Sequence, residues 1–124
     1  MRHFASVLVI ESDPSLLASI GEALSRLEME PFLAPGLDAA LEALSGGCAP
    51  DCIMVDLDLR QPSGLATLAR IHAHPDAGSV PVLVLGSRPD LLINAEADAV
   101  MLKPLDLGSL GDRLAGICDC APMQ

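Results

Sequence analysis

Four short apolar runs, Val7–Ile10, Cys52–Val55, Val82–Leu85 and Val100–Leu102, recur along the chain and constrain its fold more than any other feature. A strand with one solvated face alternates apolar and polar side chains. A strand covered on both faces need not, so unbroken runs of this length point to a parallel sheet with helices on either side. The intervening stretches supply those helices. Asp13-Pro14 offers an N-cap followed by a proline at the first helical position, and Leu17, Ile20, Leu24 and Leu27 follow at helical spacing, which predicts a helix over 14–28. Pro31–Ala34 reads as a short strand at a sheet edge, because proline cannot donate to a ladder. Leu37, Ala40, Leu41 and Leu44 predict a helix stopped by Gly46-Gly47, and Leu65, Leu68 and Ile71 another over 64–72. Strands are expected over 5–10, 52–56, 81–85 and 99–102, with a last helix over 107–117 broken up by Gly108, Gly111 and Gly116. The sum is a (βα)5 chain of the α/β class, a single domain over 1–124 without internal repeat or linker.

A chain of 124 residues suits one core, and with Phe4 and Phe32 its only aromatic side chains, that core must be aliphatic. The longest apolar runs fall far short of the roughly 20 residues of a membrane span, and the N-terminus enters a strand-like run with no secretion signal, so a soluble cytoplasmic protein is expected. Seventeen acids against seven bases give a formal charge of −10, which argues against autonomous nucleic-acid binding. Cys48, Cys52, Cys118 and Cys120 lack zinc-site spacing and read as reduced structural thiols, Cys52 buried in its strand. His3, His72 and His74 read as exposed residues without a chemical role.

The ends of the runs carry the chemistry. Ile10 leads into Glu11-Ser12-Asp13, Val55 into Asp56-Leu57-Asp58, Leu85 into Gly86-Ser87 and Leu102 into Lys103-Pro104. In an open α/β sheet, the C-terminal rim of the strands is where ligands bind. Acids after the first and third strands and a lysine after the fifth make a pocket for a hard cation and a phosphoryl group. Asp13, by contrast, reads first as a helix N-cap.

In their order and spacing, these pieces resemble the receiver (CheY-like) domain of bacterial two-component response regulators. The matching segments are Leu8–Pro14, Val55–Leu59, Ser63-Gly64-Leu65, Pro81–Leu85 and Leu102-Lys103-Pro104. The resemblance implies a flavodoxin-like sheet of order 2-1-3-4-5 and a phosphoryl group passed from a histidine kinase or phosphotransfer protein to an aspartate. It implies Asp56 as phosphoacceptor, Glu11 as the first acid of a metal-binding pair, and Lys103 as partner of the acceptor or its phosphate. At Asp58 it implies a backbone carbonyl that joins the Mg2+ ligands. Output would pass to a protein effector or through self-association, and no enzyme activity is expected.

Three positions depart from that family's pattern. Ser12 replaces the second acid, so Mg2+ is expected to bind weakly through Glu11, Asp56 and Asp58, with Ser12 and Asp13 as further candidates. Gly86 replaces a hydroxyl residue that contacts the phosphoryl group, and strand alternation points the neighbouring Ser87 away unless the chain bends. Val100 replaces the aromatic residue that moves on activation, and a valine has no ring to swing. The segment from Gly86 to Lys103 is also short, so the fourth helix should be short or irregular. The alternatives are a pseudo-receiver that pairs without phosphate and an aspartyl phosphatase of the haloacid dehalogenase type, which Asp56-Leu57-Asp58 also resembles.

Overall fold

The computed structural model describes residues 5–118; His3, Phe4 and Cys120 lie outside them. Strands β1 (Ser6–Ile10), β2 (Glu30–Ala34), β3 (Cys52–Asp56), β4 (Val82–Gly86) and β5 (Ala99–Leu102) alternate with helices α1 (Pro14–Arg26), α2 (Leu37–Ser45), α3 (Gly64–Ala73), α4 (Pro89–Asn94) and α5 (Leu110–Ala115). A 3-10 turn, Leu107–Ser109, precedes α5. The sheet is parallel, in the order β2-β1-β3-β4-β5, which is the flavodoxin-like arrangement expected. Pro31 lies on β2, at the sheet edge.

The unbroken apolar runs are explained by the two covers. Leu8, Ile10, Ile53, Val55, Val82 and Val84 face a cluster completed by α2, α3 and Leu92 of α4. Val7, Val9, Met54, Leu83, Leu85 and Met101 face the opposite cluster, built with Ile20 and Leu24 of α1 and Leu110 and Leu114 of α5. Burying apolar side chains on both faces is the main stabilising contribution here. Two strands begin on an acid from the neighbouring connection. The amide of Ser6 donates to Asp51 Oδ2 at 2.8 Å, and that of Val82 to Asp98 Oδ2 at 2.8 Å.

Several boundaries differ from expectation. Helix α1 ends at Arg26 because the chain turns at Glu28, whose φ of 58° no helix can continue. The last helix is a 3-10 turn plus six residues, whereas α4, six residues long, is short as expected. Leu65 points outward, so Thr67, Leu68 and Ile71 form the buried stripe of α3 instead. His72 and His74 are half-buried rather than exposed. His72 Nε2 lies 2.7 Å from the Glu96 carbonyl, and His74 Nδ1 accepts from the Asp76 amide. Cys48, Cys52 and Cys118 are free thiols, and burial pushes Cys52 up to about 12. Among the described residues, no helix is long and apolar enough to cross a membrane.

Candidate functional site

Register brings the candidate residues to one end of the sheet. Asp56 is the last residue of β3 and pairs with Leu85 of β4, while Gly86 pairs with Leu102, next to Lys103. Glu11 follows β1, its amide bonded to Ala34 of β2. Behind Asp56, Gly64 starts α3 so close to the strand that a Cβ there would strike Leu57 Cα and stand 2.6 Å from the Asp56 carbonyl oxygen. Ser63 caps that helix by accepting from the Ala66 amide.

Lys103 sits among three carboxylates. Its Nζ donates to Asp56 Oδ1 at 3.1 Å and lies 3.1 Å from Glu11 Oε1 and 3.2 Å from Asp58 Oδ2. Asp56 Oδ1 also accepts from the Asp58 amide at 2.8 Å, and Glu11 Oε2 from the Asp13 amide at 2.9 Å. Glu11 and Asp56 are each only 1% exposed. The contact from Lys103 to Glu11 is an ion pair without hydrogen-bond geometry, so Glu11 Oε1 and Asp56 Oδ2 both remain buried without a donor.

Electrostatics follow from this crowding. Burial, reinforced by the Asp56 carboxylate beside it, pushes the Glu11 carboxyl above its ordinary range against the pull of the Asp13 amide and Lys103. Burial opposes the charge on Lys103, but Asp56 and Glu11 outweigh it and raise the ammonium above its usual range. At Asp58 burial acts upward, yet the Ser87 amide and Lys103 prevail and hold the carboxyl below its usual range. Three carboxylates against one ammonium leave the cluster formally anionic.

That excess charge and the two donor-free oxygens fit a hydrated divalent cation. Mg2+ commonly keeps several waters and takes only one or two protein carboxylates. Glu11 Oε1 and Asp56 Oδ2 would be its ligands. Among the described residues no group of three or more His, Cys, Asp or Glu side chains is arranged to hold a metal ion, so the pocket offers a pair of acids rather than a full set.

The other candidates fall as follows. Ser12 is exposed on the rim, and Asp13 caps α1 by accepting from the Ser15 amide at 3.0 Å. Ser87 does not point away, because the chain leaves the strand line at Gly86. Its amide lies 3.2 and 3.1 Å from the two Asp58 oxygens and its hydroxyl donates to Asp58 Oδ1 at 3.2 Å. Asp58, expected to contribute its backbone carbonyl, also brings its side chain into the cluster. The signal that could have revealed this is the Asp-Leu-Asp spacing at a strand end, where a turn folds residue i+2 back onto residue i.

A family model described as the response regulator receiver domain matches residues 7–115. No curated protein matches the sequence significantly. Among solved structures, the signal receiver domain of an HD domain-containing protein from Pseudomonas fluorescens Pf-5 is 26% identical and superposes with a TM-score of 0.81, over 93% of this chain and 94% of that one. A CheY-like receiver domain from Methylobacillus flagellatus is 23% identical, with a TM-score of 0.80 over 91% and 98%. The chemotaxis response regulator CheY4 of Vibrio cholerae is 19% identical, with a TM-score of 0.79 over 91% and 98%. At identities below 25%, the likeness to the last two is one of fold.

Proposed function

The chain belongs to the response regulator receiver domain family, whose members serve phosphorelay signalling, and from that premise we propose that Asp56 accepts a phosphoryl group from a histidine kinase or phosphotransfer protein. One carboxylate oxygen of Asp56 attacks phosphorus. The new P–O bond forms as the P–N bond to the donor histidine breaks, and the departing imidazole nitrogen takes a proton from water. Lys103 orients Asp56 and then meets the charge carried by the phosphoryl oxygens, a point-charge role that suits lysine. Receiver domains typically bind Mg2+ at this pocket; here Glu11 and Asp56 would hold it, with the Asp58 carbonyl, and it would neutralise the phosphoryl oxygens. We read 1–124 as a single such domain, signalling to a protein effector rather than turning over a substrate.

The observation that carries this reading is the pairing of Lys103 Nζ with Asp56 at 3.1 Å beside two buried carboxylate oxygens that have no donor. The test is intact mass after incubation with Mg2+ and acetyl phosphate. One added phosphoryl group in the wild type and none in Asp56→Asn is the expected result; no addition to the wild type overturns it.

A second reading, a phosphate-independent pairing module, is favoured by the apolar side chains left outside the core near β5: Ile93 is 80% exposed, Leu102 53% and Val100 38%. The phosphatase alternative loses ground at Asp58. Its carboxylate already accepts from the Ser87 amide and hydroxyl and lies 3.2 Å from Lys103 Nζ, so it is held as an acceptor rather than poised to give a proton to a leaving group.

A further inference from the structure

We propose that the Asp58 carboxylate occupies the seat that the phosphoryl oxygens on Asp56 must take, so that phosphorylation proceeds only by displacing it. The inference rests on Asp56 being the acceptor and describes how that acceptor is restrained.

A phosphoryl group on Asp56 brings three anionic oxygens to the rim and needs donors there. The donors at hand are Lys103 Nζ, the Ser87 amide and the Ser87 hydroxyl, and all three already serve Asp58. Its two oxygens share the Ser87 amide at 3.2 and 3.1 Å, one accepts the hydroxyl at 3.2 Å, and one lies 3.2 Å from the ammonium.

The space is matched as well. A Cβ on Gly86 would stand 3.3 Å from Asp58 Oδ1, tighter than ordinary contact, so the carboxylate seats against the glycine where a larger residue would project. The lost hydroxyl at 86 and the anion contributed by 58 are thus two sides of one arrangement. The turn that delivers the anion is closed by the Asp58 amide on Asp56 Oδ1 at 2.8 Å, which ties the plug to the acceptor it restrains.

The plug can leave. The Asp58 side chain is 27% exposed, against 1% for Glu11 and Asp56, and beside it opens a cleft of about 610 Å³ lined in part by Arg60 and Arg88. Swinging outward, the carboxylate keeps access to water and to guanidinium groups. An incoming phosphoryl group then inherits Lys103 and Ser87.

The test separates the seat from the acceptor. In an Asp56→Asn background, orthophosphate is titrated while the Ser87 amide is followed by NMR, with Asp, Asn or Ala at position 58. Affinity should rise about tenfold from Asp58 to Asp58→Ala, the equivalent of one charge-assisted hydrogen bond removed from competition. Asp58→Asn should fall between them, because its carboxamide oxygen still accepts from the Ser87 amide. Equal affinity in all three overturns the inference, and so does Asp58→Asn matching Asp58→Ala, since charge alone would then explain the gain. With Asp56 intact, acetyl phosphate and Mg2+ should label the three proteins at rates in the same order. If the orthophosphate order holds but no protein is labelled, Asp56 is not an acceptor and the seat still stands. If labelling occurs without either order, Asp56 is the acceptor and the seat is wrong.

Discussion

Gly64 and Asp56 are in backbone contact across the β3–α3 turn: a Cβ on Gly64 would stand 2.6 Å from the Asp56 carbonyl oxygen and collide with Leu57 Cα. The opposing atoms are main chain at the end of a fully buried strand, so they cannot move aside as a flexible side chain would. Gly64→Ala should therefore cost about 3 kcal/mol of stability, in the range of overpacked core sites. Urea unfolding with an unchanged slope checks it. The same variant should lower the rate of Asp56 labelling in whatever fraction stays folded, because Asp56 sits on the displaced strand end.

Asp98 accepts from the first amide of β4. Val82 is fully buried, and its N–H donates to Asp98 Oδ2 at 2.8 Å. Asp98→Ala strands a buried donor and should destabilise by about 1–3 kcal/mol. Asp98→Asn keeps an acceptor in place and should cost less, which denaturant melts of the two variants can compare.

The strands were readable because β1, β3 and β4 are buried on both faces, and runs too short for a helix and bounded by turn residues suit such strands. Asp13 was readable because a cap and a proline occupy adjacent positions. The pocket was readable only as a set of strand ends. Asp56, Glu11 and Lys103 meet as the parallel register requires, although Lys103 and Asp56 are 47 positions apart in the sequence. What escaped lies where a turn, not the strand, sets the direction of a side chain. Strand alternation stops at Gly86 and so does not set the direction of Ser87, and a turn rather than a strand sets where the Asp58 side chain goes. The end of α1 was misplaced for a similar reason: the left-handed turn at Glu28 uses a residue with no special propensity for it.

Glu11 makes stability depend on pH in an unusual direction. Its folded carboxyl lies above the ordinary value of 4.5, so between those two values the folded state binds more protons than the unfolded one. Stability from this group is present below 4.5 and is lost as pH rises through the folded value. Asp58 acts oppositely: its folded carboxyl lies below 3.8, so its contribution is present above 3.8 and is lost as pH falls through the folded value. Glu11→Gln should therefore gain stability relative to wild type as pH rises above 4.5, and Asp58→Asn should lose it relative to wild type above 3.8. Thermal melts at a series of pH values check both signs.

Mg2+ should bind at about millimolar affinity, roughly 4 kcal/mol, because only Glu11 and Asp56 bring donor-free carboxylate oxygens. Ser12→Asp adds a carboxylate on the same rim, next to Glu11, and should tighten binding about tenfold. Isothermal titration of wild type and variant is the measurement. Micromolar binding by the wild type would mean that Asp13 or Asp58 has turned into the metal site.

Phosphorylation of Asp56 should alter the domain less than a full switch would. A ligand shifts a two-state equilibrium only by its differential affinity for the two states. Gly86 has no hydroxyl to follow the phosphoryl group, and Val100, 38% exposed on β5, is a stiff side chain with no ring to carry between inward and outward positions. Its carbonyl also accepts from Arg113 Nη1 at 3.2 Å, which ties β5 to α5. The comparison is wild type, Asp56→Asn and Gly86→Thr, each with and without acetyl phosphate, read by amide exchange and by oligomeric state. Wild type should show small donor-dependent changes confined to the rim. In Gly86→Thr the new Cβ crowds Asp58 Oδ1 and the new hydroxyl reaches the seat, so labelling should quicken and protection changes should spread toward α4 and β5. A large donor-dependent change in the wild type, lost in Asp56→Asn, would show instead that this pocket throws a conventional switch without those two side chains.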